Sequence, residues 1–229
     1  MKQKILYHGS ERIIEVPVFG KGNPRNDYGP GFYMTEHEEM AKEWACSRDR
    51  DGYANQYRIN LEGLTILYLT RGSYHILNWL AVLLENRTFR MNSDLMEEGK
   101  NYLLEEFLIP YKDYDIIVGY RADDSYFSFA NAFLSNAISL QQLSEAMTLG
   151  NLGEQYVLKS RSAFERVIFQ KVIPANKEAF YPRAGGRDLK AREAFRQMRR
   201  SRDRGIYLID LLREGWKNND ERLQRIVLG

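Results

Sequence analysis

The strand-like segments of this chain are short, and they alternate irregularly with segments that have helical periodicity. Helical patterns occur at residues 35–48, 74–85, 94–108, 139–147 and 187–204. The strand-like runs are KILYH (4–8), GFYM (31–34), ANQYRINLEGLTILYL (54–69, broken near Glu62 and Gly63), DYDIIVGY (113–120), EQYVLKS (154–160) and RVIFQKVI (166–173). A doubly wound parallel sheet needs a helix after almost every strand, and this pattern is absent. The sequence therefore predicts an α+β fold.

Composition narrows the class of protein only to a globular chain without a predicted membrane span. The chain has 229 residues, of which 44% are hydrophobic and 13% aromatic, as in a globular protein with a sizeable core. Its single cysteine allows no intramolecular disulfide, which favours a reducing compartment. The apolar run at the N-terminus is too short for a signal peptide, and no stretch is long enough to span a membrane. We therefore expect a cytoplasmic protein without membrane contact, and a toxin delivered by a route that needs no signal peptide would have the same sequence features.

One histidine at a predicted strand end is the first candidate functional residue. His8 is one of three histidines, and it is followed by Gly9 in the run LYHGSE. A lone histidine of this kind is most often satisfied by a local hydrogen bond. No histidine pair has the spacing of metal ligands, so we expect no metal site.

Two other segments could join His8 in a ligand site. In the loop NDYGPGFYMT (26–35), two glycines flank Pro30, and the backbone is open enough for a flat ligand to approach. The same loop could instead be a tight turn that feeds a strand. In the strand 154–160, Glu154 and Gln155 point to opposite faces, so only one of them can face His8.

The order and spacing of three motifs resemble the ADP-ribosyltransferase superfamily, in its branch that includes diphtheria toxin and the poly(ADP-ribose) polymerases. These motifs are LYHGS, GPGFYMTEHEEMAKEWA and GEQYVL. They match the family's His-Gly strand end, its glycine-aromatic segment leading into a helix, and its late catalytic strand. The resemblance covers residues 4–170 and implies a split antiparallel sheet surrounded by helices. The implied domains are an NAD-binding domain at 1–174 and a basic helical extension at 175–229.

The resemblance implies specific roles at an NAD cleft. His8 would bind a hydroxyl of the nicotinamide ribose, and the backbone of Gly9 would pair with the carboxamide. Tyr33 would stack on the nicotinamide ring, with Trp44 at the position of the family's second stacking aromatic. Cation–π attraction between tryptophan and a pyridinium makes Trp44 a mild departure. The matched segments also contribute Ser10, Gly31 and Phe32 to the implied cofactor-binding set.

Gln155 falls at the position of the family's catalytic glutamate. Its carbonyl oxygen can accept a ribose hydroxyl, but an amide has no net charge and cannot serve as a general base. Losing an electrostatic contribution of this kind typically costs about 10²-fold or more in rate. Glu154, Asp123 or Asp124 could supply the missing carboxylate, or the cleft could bind a nucleotide without turnover. Asp123 and Asp124 also fit an ordinary capped turn.

The resemblance implies a mono-ADP-ribosyltransferase, because chain extension depends on the glutamate in that family. By family analogy it could be a bacterial toxin or antiphage effector with an antitoxin or other partner protein. The alternatives are an NAD glycohydrolase and a catalytically weakened nucleotide-binding module. The acceptor could be a protein or a nucleic acid.

The last part of the chain is basic. Residues 187–204 contain eight Lys or Arg and three Asp or Glu. This pattern fits a solvated helix with i,i+4 ion pairs such as Asp188–Arg192, and it also fits a face that contacts phosphates of RNA or DNA. After Gly205, apolar residues recur through Trp216, and they form a face that must be buried on the core or on a partner chain.

Overall fold

The computed structural model describes residues 3–72, 74–122, 124–149, 153–200 and 204–224. Seven strands and nine helices lie within these ranges. The strands are β1 (Gln3–Ser10), β2 (Phe32–Thr35), β3 (Gly52–Asn60), β4 (Ile66–Tyr68), β5 (Ile116–Tyr120), β6 (Glu154–Leu158) and β7 (Val167–Ala175). The helices are α1 (Glu38–Ala45), α2 (Ile76–Asn86), α3 (Asp94–Phe107), α4 (Asp124–Leu134), α5 (Leu140–Ala146), α6 (Arg161–Glu165), α7 (Lys177–Arg200), α8 (Leu208–Glu214) and α9 (Glu221–Gln224).

All seven strands form one sheet in the order β4-β5-β6-β2-β1-β3-β7. The strand pairs are antiparallel except β4 and β5, which run parallel. The α+β prediction is confirmed, whereas the purely antiparallel sheet is corrected to a mixed one. β1 pairs with β3 over its whole length, but its pairing with β2 is confined to Tyr7 and Thr35. The pairing of β1 with β2 therefore stops next to His8 and Gly9, and the two strands separate there.

Alternating side chains of the sheet enter two different apolar cores. Ile117 and Val157 point into the larger core, which the helices cover. Ile116 and Leu158, one residue away on the same strands, point into a smaller core on the opposite face. This alternation follows from the two-residue period of a strand.

The first helix begins later than its sequence indicates. Thr35 and Glu38 have the spacing of a capping box, which predicts a helix start at Thr35. In the structure Thr35 ends β2, the helix N-cap is His37, and the Thr35 hydroxyl accepts the His37 backbone N–H at 3.2 Å. Sheet pairing therefore takes precedence over the local capping pattern.

The basic helix starts ten residues before the predicted position. α7 begins at Lys177 and includes Pro182, Gly185 and Gly186, which local propensity would place outside a helix. Ion pairs to α1 accompany this extension: Arg183 bonds Glu39 at 2.8 Å and Arg187 bonds Glu43 at 2.6 Å. The first part of α7 is thus helical in the presence of tertiary contacts, although its local sequence disfavours a helix.

The C-terminal extension packs on the body of the protein. Phe195 of α7, Leu208 and Leu211 of α8, and Trp216 are buried in the larger core. The apolar face predicted after Gly205 is therefore covered by this chain itself. No helix within the described ranges is long and apolar enough to cross a membrane.

Replacing Leu208 with alanine tests this shared core. Leu208 is fully buried, so we expect Leu208→Ala to lower the free energy of unfolding by about 2–5 kcal/mol. Leu189, which is 60% exposed on α7, is the matched control, and Leu189→Ala should change the same quantity by no more than about 0.5 kcal/mol. Denaturant unfolding measures both. Equal effects of the two substitutions would contradict a common core.

Candidate functional site

A cleft of about 610 Å³ opens where β1 and β2 separate. Its volume lies in the range of small-molecule sites. Five residues predicted from the sequence line it: His8, Gly9, Tyr33, Trp44 and Gln155. They come from β1, β2, α1 and β6, so the fold brings together side chains that are far apart along the chain.

Gly9 is required by close helix packing. A Cβ atom at this position would overlap the Ala41 carbonyl oxygen and would lie 2.9 Å from Cβ of Trp44. Glycine therefore lets α1 cross directly over the end of β1. This contact gives Gly9 a structural purpose and also places Trp44 beside His8 in the cleft.

The His8 ring is held in one orientation. Its Nδ1 lies 2.7 Å from the carbonyl oxygen of Tyr33. A carbonyl oxygen only accepts, so Nδ1 donates, and in the neutral ring Nε2 is then an acceptor. Burial lowers the pKa of His8, although the bond to Tyr33 opposes that shift. The ring is therefore neutral at pH 7. Phe32 stacks on this ring with 4.3 Å between the centroids.

The hydroxyl of Tyr33 is engaged in hydrogen bonds, whereas the residue lines the cleft. The hydroxyl donates to the Gly29 carbonyl oxygen at 2.6 Å and accepts the Tyr28 backbone N–H at 3.1 Å. Burial raises the pKa of Tyr33 far above the physiological range, so the phenol stays protonated. The hydroxyl closes the 28–33 loop on itself, which leaves the aromatic face for contact with a ligand.

Contacts to neighbouring strands anchor the loop before Tyr33. Lys159 donates to the carbonyl oxygen of Pro30 at 2.7 Å, and the Tyr28 hydroxyl donates to the Tyr120 carbonyl oxygen at 2.6 Å. Burial lowers the pKa of Lys159 to about 8. Gly29 has a φ of 73°, which glycine adopts without strain. The loop is thus tied to the ends of β5 and β6.

This anchored loop carries a buried acid, Asp27. Oδ1 of Asp27 accepts from Arg87 at 3.0 Å, and Oδ2 accepts the Ala122 backbone N–H at 2.9 Å and Nε2 of Gln155 at 3.1 Å. Burial raises the pKa of Asp27, and these donors oppose the increase. All three partners are donors, so the geometry fits an ionised carboxylate.

The ring of Trp44 lies against a planar cation, the guanidinium of Arg121. The guanidinium carbon of Arg121 lies 4.1 Å from the centroid of the Trp44 ring. Both residues line the cleft. Trp44 Nε1 is buried and has no hydrogen-bond partner among the described residues. The ring face is therefore suited to flat, positively charged groups.

The remaining predicted residues lie outside the cleft lining. Ser10 accepts the backbone N–H of Arg12 at 3.1 Å. Gly31 packs against β6, where a Cβ would lie 2.6 Å from Cγ1 of Val157. Phe32 supports His8 by stacking on its ring. Glu154 points away from Gln155, and it bonds Thr70 and Arg71. The prediction that Glu154 and Gln155 face opposite ways is confirmed, and Gln155 is the one in the cleft.

Asp123 and Asp124 are the other two acids predicted as possible sources of a carboxylate. Asp123 lies outside the described residues. Asp124 is the first residue of α4, and the structure does not describe its side chain.

Comparison with protein families identifies a match over most of this chain. Residues 4–169 match a family whose description is "Protein of unknown function (DUF3990)". The chain belongs to the DUF3990 family. No curated protein and no solved structure matches it significantly.

In this DUF3990 member, part of the cleft comes from outside the family match. Ala184, Gly185 and Asp188 of α7 line the cleft beyond residue 169. Asp188 bonds Arg192 at 2.7 Å, which confirms the i,i+4 pair predicted from the sequence, and it also accepts from Ser125. The extension thus forms a wall of the cleft.

Several lining residues were missed by sequence reasoning. They are Asn26, Asp27, Arg87, Arg121, Ala122 and the α7 residues. Asn26 and Asp27 belong to the predicted glycine-rich loop, and an acid beside such a loop is a sequence signal for a ligand site. Arg87 and Arg121 follow the ends of α2 and β5, where nothing in the local sequence marks them.

Substituting Gly9 tests the close approach of α1. We expect Gly9→Ala to lower the free energy of unfolding by about 1–3 kcal/mol, because the added methyl group meets backbone atoms that cannot move cheaply. At Gly186 on α7, a Cβ would have no atom within 4 Å of it, so Gly186→Ala should instead raise stability by about 0.5–1 kcal/mol. Chemical denaturation compares the two variants. A Gly9→Ala protein as stable as the parent would contradict the packing argument.

Proposed function

We propose that this protein is an NAD-dependent mono-ADP-ribosyltransferase that transfers ADP-ribose to a macromolecular acceptor. The observation that carries the proposal is the convergence of His8, Gly9, Tyr33, Trp44 and Gln155 on one cleft. The motif resemblance assigns each of them a contact with the nicotinamide end of NAD. Membership in the DUF3990 family neither names nor excludes this activity.

The aromatic residues suit the nicotinamide ring of NAD. Its pyridinium is flat and positively charged, and Trp44 already faces a flat cation, the Arg121 guanidinium. Tyr33 lines the same cleft with its hydroxyl engaged elsewhere. Stacking between aromatic faces stabilises such a cation by about 0.5–2 kcal/mol per contact. In this proposal the nicotinamide ring displaces the guanidinium from Trp44.

His8 and Gln155 would hold the nicotinamide ribose. Neutral His8 presents Nε2 as an acceptor for a ribose hydroxyl, since Nδ1 is engaged with Tyr33. Gln155 is a second acceptor through its side-chain oxygen, because its Nε2 donates to Asp27 and to the Tyr120 carbonyl oxygen. Two acceptors on the ribose would fix the sugar relative to the stacked ring.

The proposed reaction breaks the bond between nicotinamide nitrogen and ribose carbon. The bonding electron pair stays on the nicotinamide, which leaves as a neutral molecule, and the ribose develops oxocarbenium character. A nucleophilic atom of the acceptor forms the new bond to the ribose carbon and loses its proton to solvent. Gln155 cannot remove that proton, so the acceptor supplies its own nucleophilicity.

The acceptor is a protein or a nucleic acid in this proposal. α7 adds basic residues next to the cleft, but Arg187 and Arg192 of this helix are paired with Glu43 and Asp188. Arg199 and Arg200 end the helix. An effector that modifies a cellular macromolecule, restrained by an antitoxin or another partner protein, fits the same resemblance.

Nicotinamide release tests the activity. We expect the protein to release nicotinamide from NAD in the presence of cell lysate, with label from the ADP-ribose appearing in a protein, RNA or DNA fraction. His8→Ala should lower kcat/KM by about 10²-fold, because it removes a positioning contact to the ribose. Liquid chromatography measures the nicotinamide, and fractionation locates the label.

Three contrary results have distinct meanings. Release without any acceptor would indicate an NAD glycohydrolase. NAD binding by calorimetry without release would indicate a nucleotide-binding module. Release that His8→Ala leaves unchanged would place the chemistry outside this cleft.

The affinity for NAD should depend on pH through the protonation of His8. Protonation turns Nε2 into a donor and adds a positive charge beside the pyridinium, so affinity should fall as the pH drops through the pKa of His8. Because burial lowers that pKa, the midpoint should lie below the ordinary value of about 6.5, with constant affinity above it. Calorimetry between pH 5 and pH 8 provides the curve.

His8→Gln is the matched control for this curve, because a glutamine oxygen accepts a hydrogen bond but does not titrate. Its affinity for NAD should be flat across the same pH range. A transition that persists in His8→Gln would assign the titration to another group of the cleft, such as Asp27, and would contradict the prediction.

A further inference from the structure

The amide of Gln155 is oriented by two acceptors. Nε2 donates to Oδ2 of Asp27 at 3.1 Å and to the Tyr120 carbonyl oxygen at 3.2 Å. Both acceptors require a donor, so the amide nitrogen must face them and the amide oxygen must face away. Gln155 is only 3% exposed, which holds this orientation in place.

Asp27 is itself fixed by donors that suit an ionised carboxylate. Arg87 and the Ala122 backbone N–H bind its two oxygens, and the residue is 6% exposed. Its other charged neighbour is Arg121, and the nearby titratable side chains are the protonated phenols of Tyr28 and Tyr33. The carboxylate therefore lies against the amide of Gln155 with little solvent between them, and it also lines the cleft.

We propose that Asp27 and Gln155 act as one unit, in which the Asp27 carboxylate orients and polarises the Gln155 amide so that its oxygen replaces the absent glutamate. Asp27 is a positioning residue in this unit, and Gln155 is the group that meets the ribose. The inference rests on the proposed transferase function, and it explains how a glutamine can occupy that position.

The physical basis is polarisation along a hydrogen-bond chain. When an amide N–H donates to a carboxylate in a low-dielectric site, electron density shifts toward the amide oxygen, which becomes a stronger acceptor. The oxygen thus gains part of the character of a carboxylate without a second full charge in the cleft. Such an oxygen can hold a ribose hydroxyl and stabilise nearby positive charge better than an ordinary amide can.

This arrangement reverses the simple expectation for Gln155→Glu. If the glutamine merely weakened an otherwise ordinary site, restoring the acid would raise kcat. In its ionised form the introduced carboxylate would face both Asp27 and the Tyr120 carbonyl oxygen with no proton to donate. Like charges in contact disfavour ionisation, so the pKa of the introduced acid would rise above its ordinary value. The variant should lose activity at neutral pH.

The test compares four variants: Asp27→Asn, Gln155→Glu, the two combined, and Glu154→Gln as control. Glu154 is the neighbour on the opposite face of β6, and its partners Thr70 and Arg71 lie outside the cleft. We expect Asp27→Asn to lower kcat for nicotinamide release by about 10-fold or more with KM for NAD changed by less than about 3-fold. Glu154→Gln should leave both values unchanged.

Thermal unfolding gives a readout that is independent of activity. An acid with a raised folded-state pKa is destabilising over the range between its ordinary pKa of about 4.3 and that raised value, so stability falls as the pH rises across this range. Gln155→Glu should therefore melt near the parent temperature at pH 5 and several degrees lower at pH 8. Adding Asp27→Asn should remove most of this loss, because only one carboxylate then remains.

The outcomes separate the inference from the proposed function. Gln155→Glu with a raised kcat, or with the same melting offset at both pH values, would overturn the inference even if the parent is a transferase. A parent protein that consumes no NAD would remove the proposed function and the catalytic part of the inference. If Asp27→Asn does not fold, the kcat of Gln155→Glu and the pH dependence of its melting temperature decide the inference.

Discussion

The close crossing of α1 over β1 at Gly9 sets the geometry of this molecule's cleft. Only a residue without a side chain lets the helix backbone approach so near. The helix occupies the place where β1 leaves β2, and it carries Trp44 into the resulting gap. This close backbone contact therefore places the Trp44 ring at the opening between the two strands.

A second constraint is the buried charge of Asp27. Burying a carboxylate is unfavourable unless donors surround it. Arg87 at the end of α2, Ala122 shortly after β5 and Gln155 of β6 each donate a hydrogen bond to this acid. The same bonds that offset the desolvation of Asp27 also fix the loop and the amide of Gln155. Stability and the chemistry of the cleft thus depend on one polar network.

The C-terminal extension is part of the fold. Its helices share the larger core, and α7 supplies one wall of the cleft although it lies beyond the family match. A ligand in the cleft would therefore contact the extension as well as the sheet.

Local patterns in the sequence predicted the fold class and most of the elements, and the motif resemblance pointed to five residues that line the cleft. Period-two alternation identified the strand at 154–160 and predicted that Glu154 and Gln155 face opposite ways, because side-chain direction along a strand is a local property. The tertiary structure alone decided the rest. Asp27 and Arg87 are 60 positions apart, and α7 continues through Pro182 and two glycines beside its ion pairs to α1. Such contacts depend on chain segments that meet only after folding, so no local pattern encodes them.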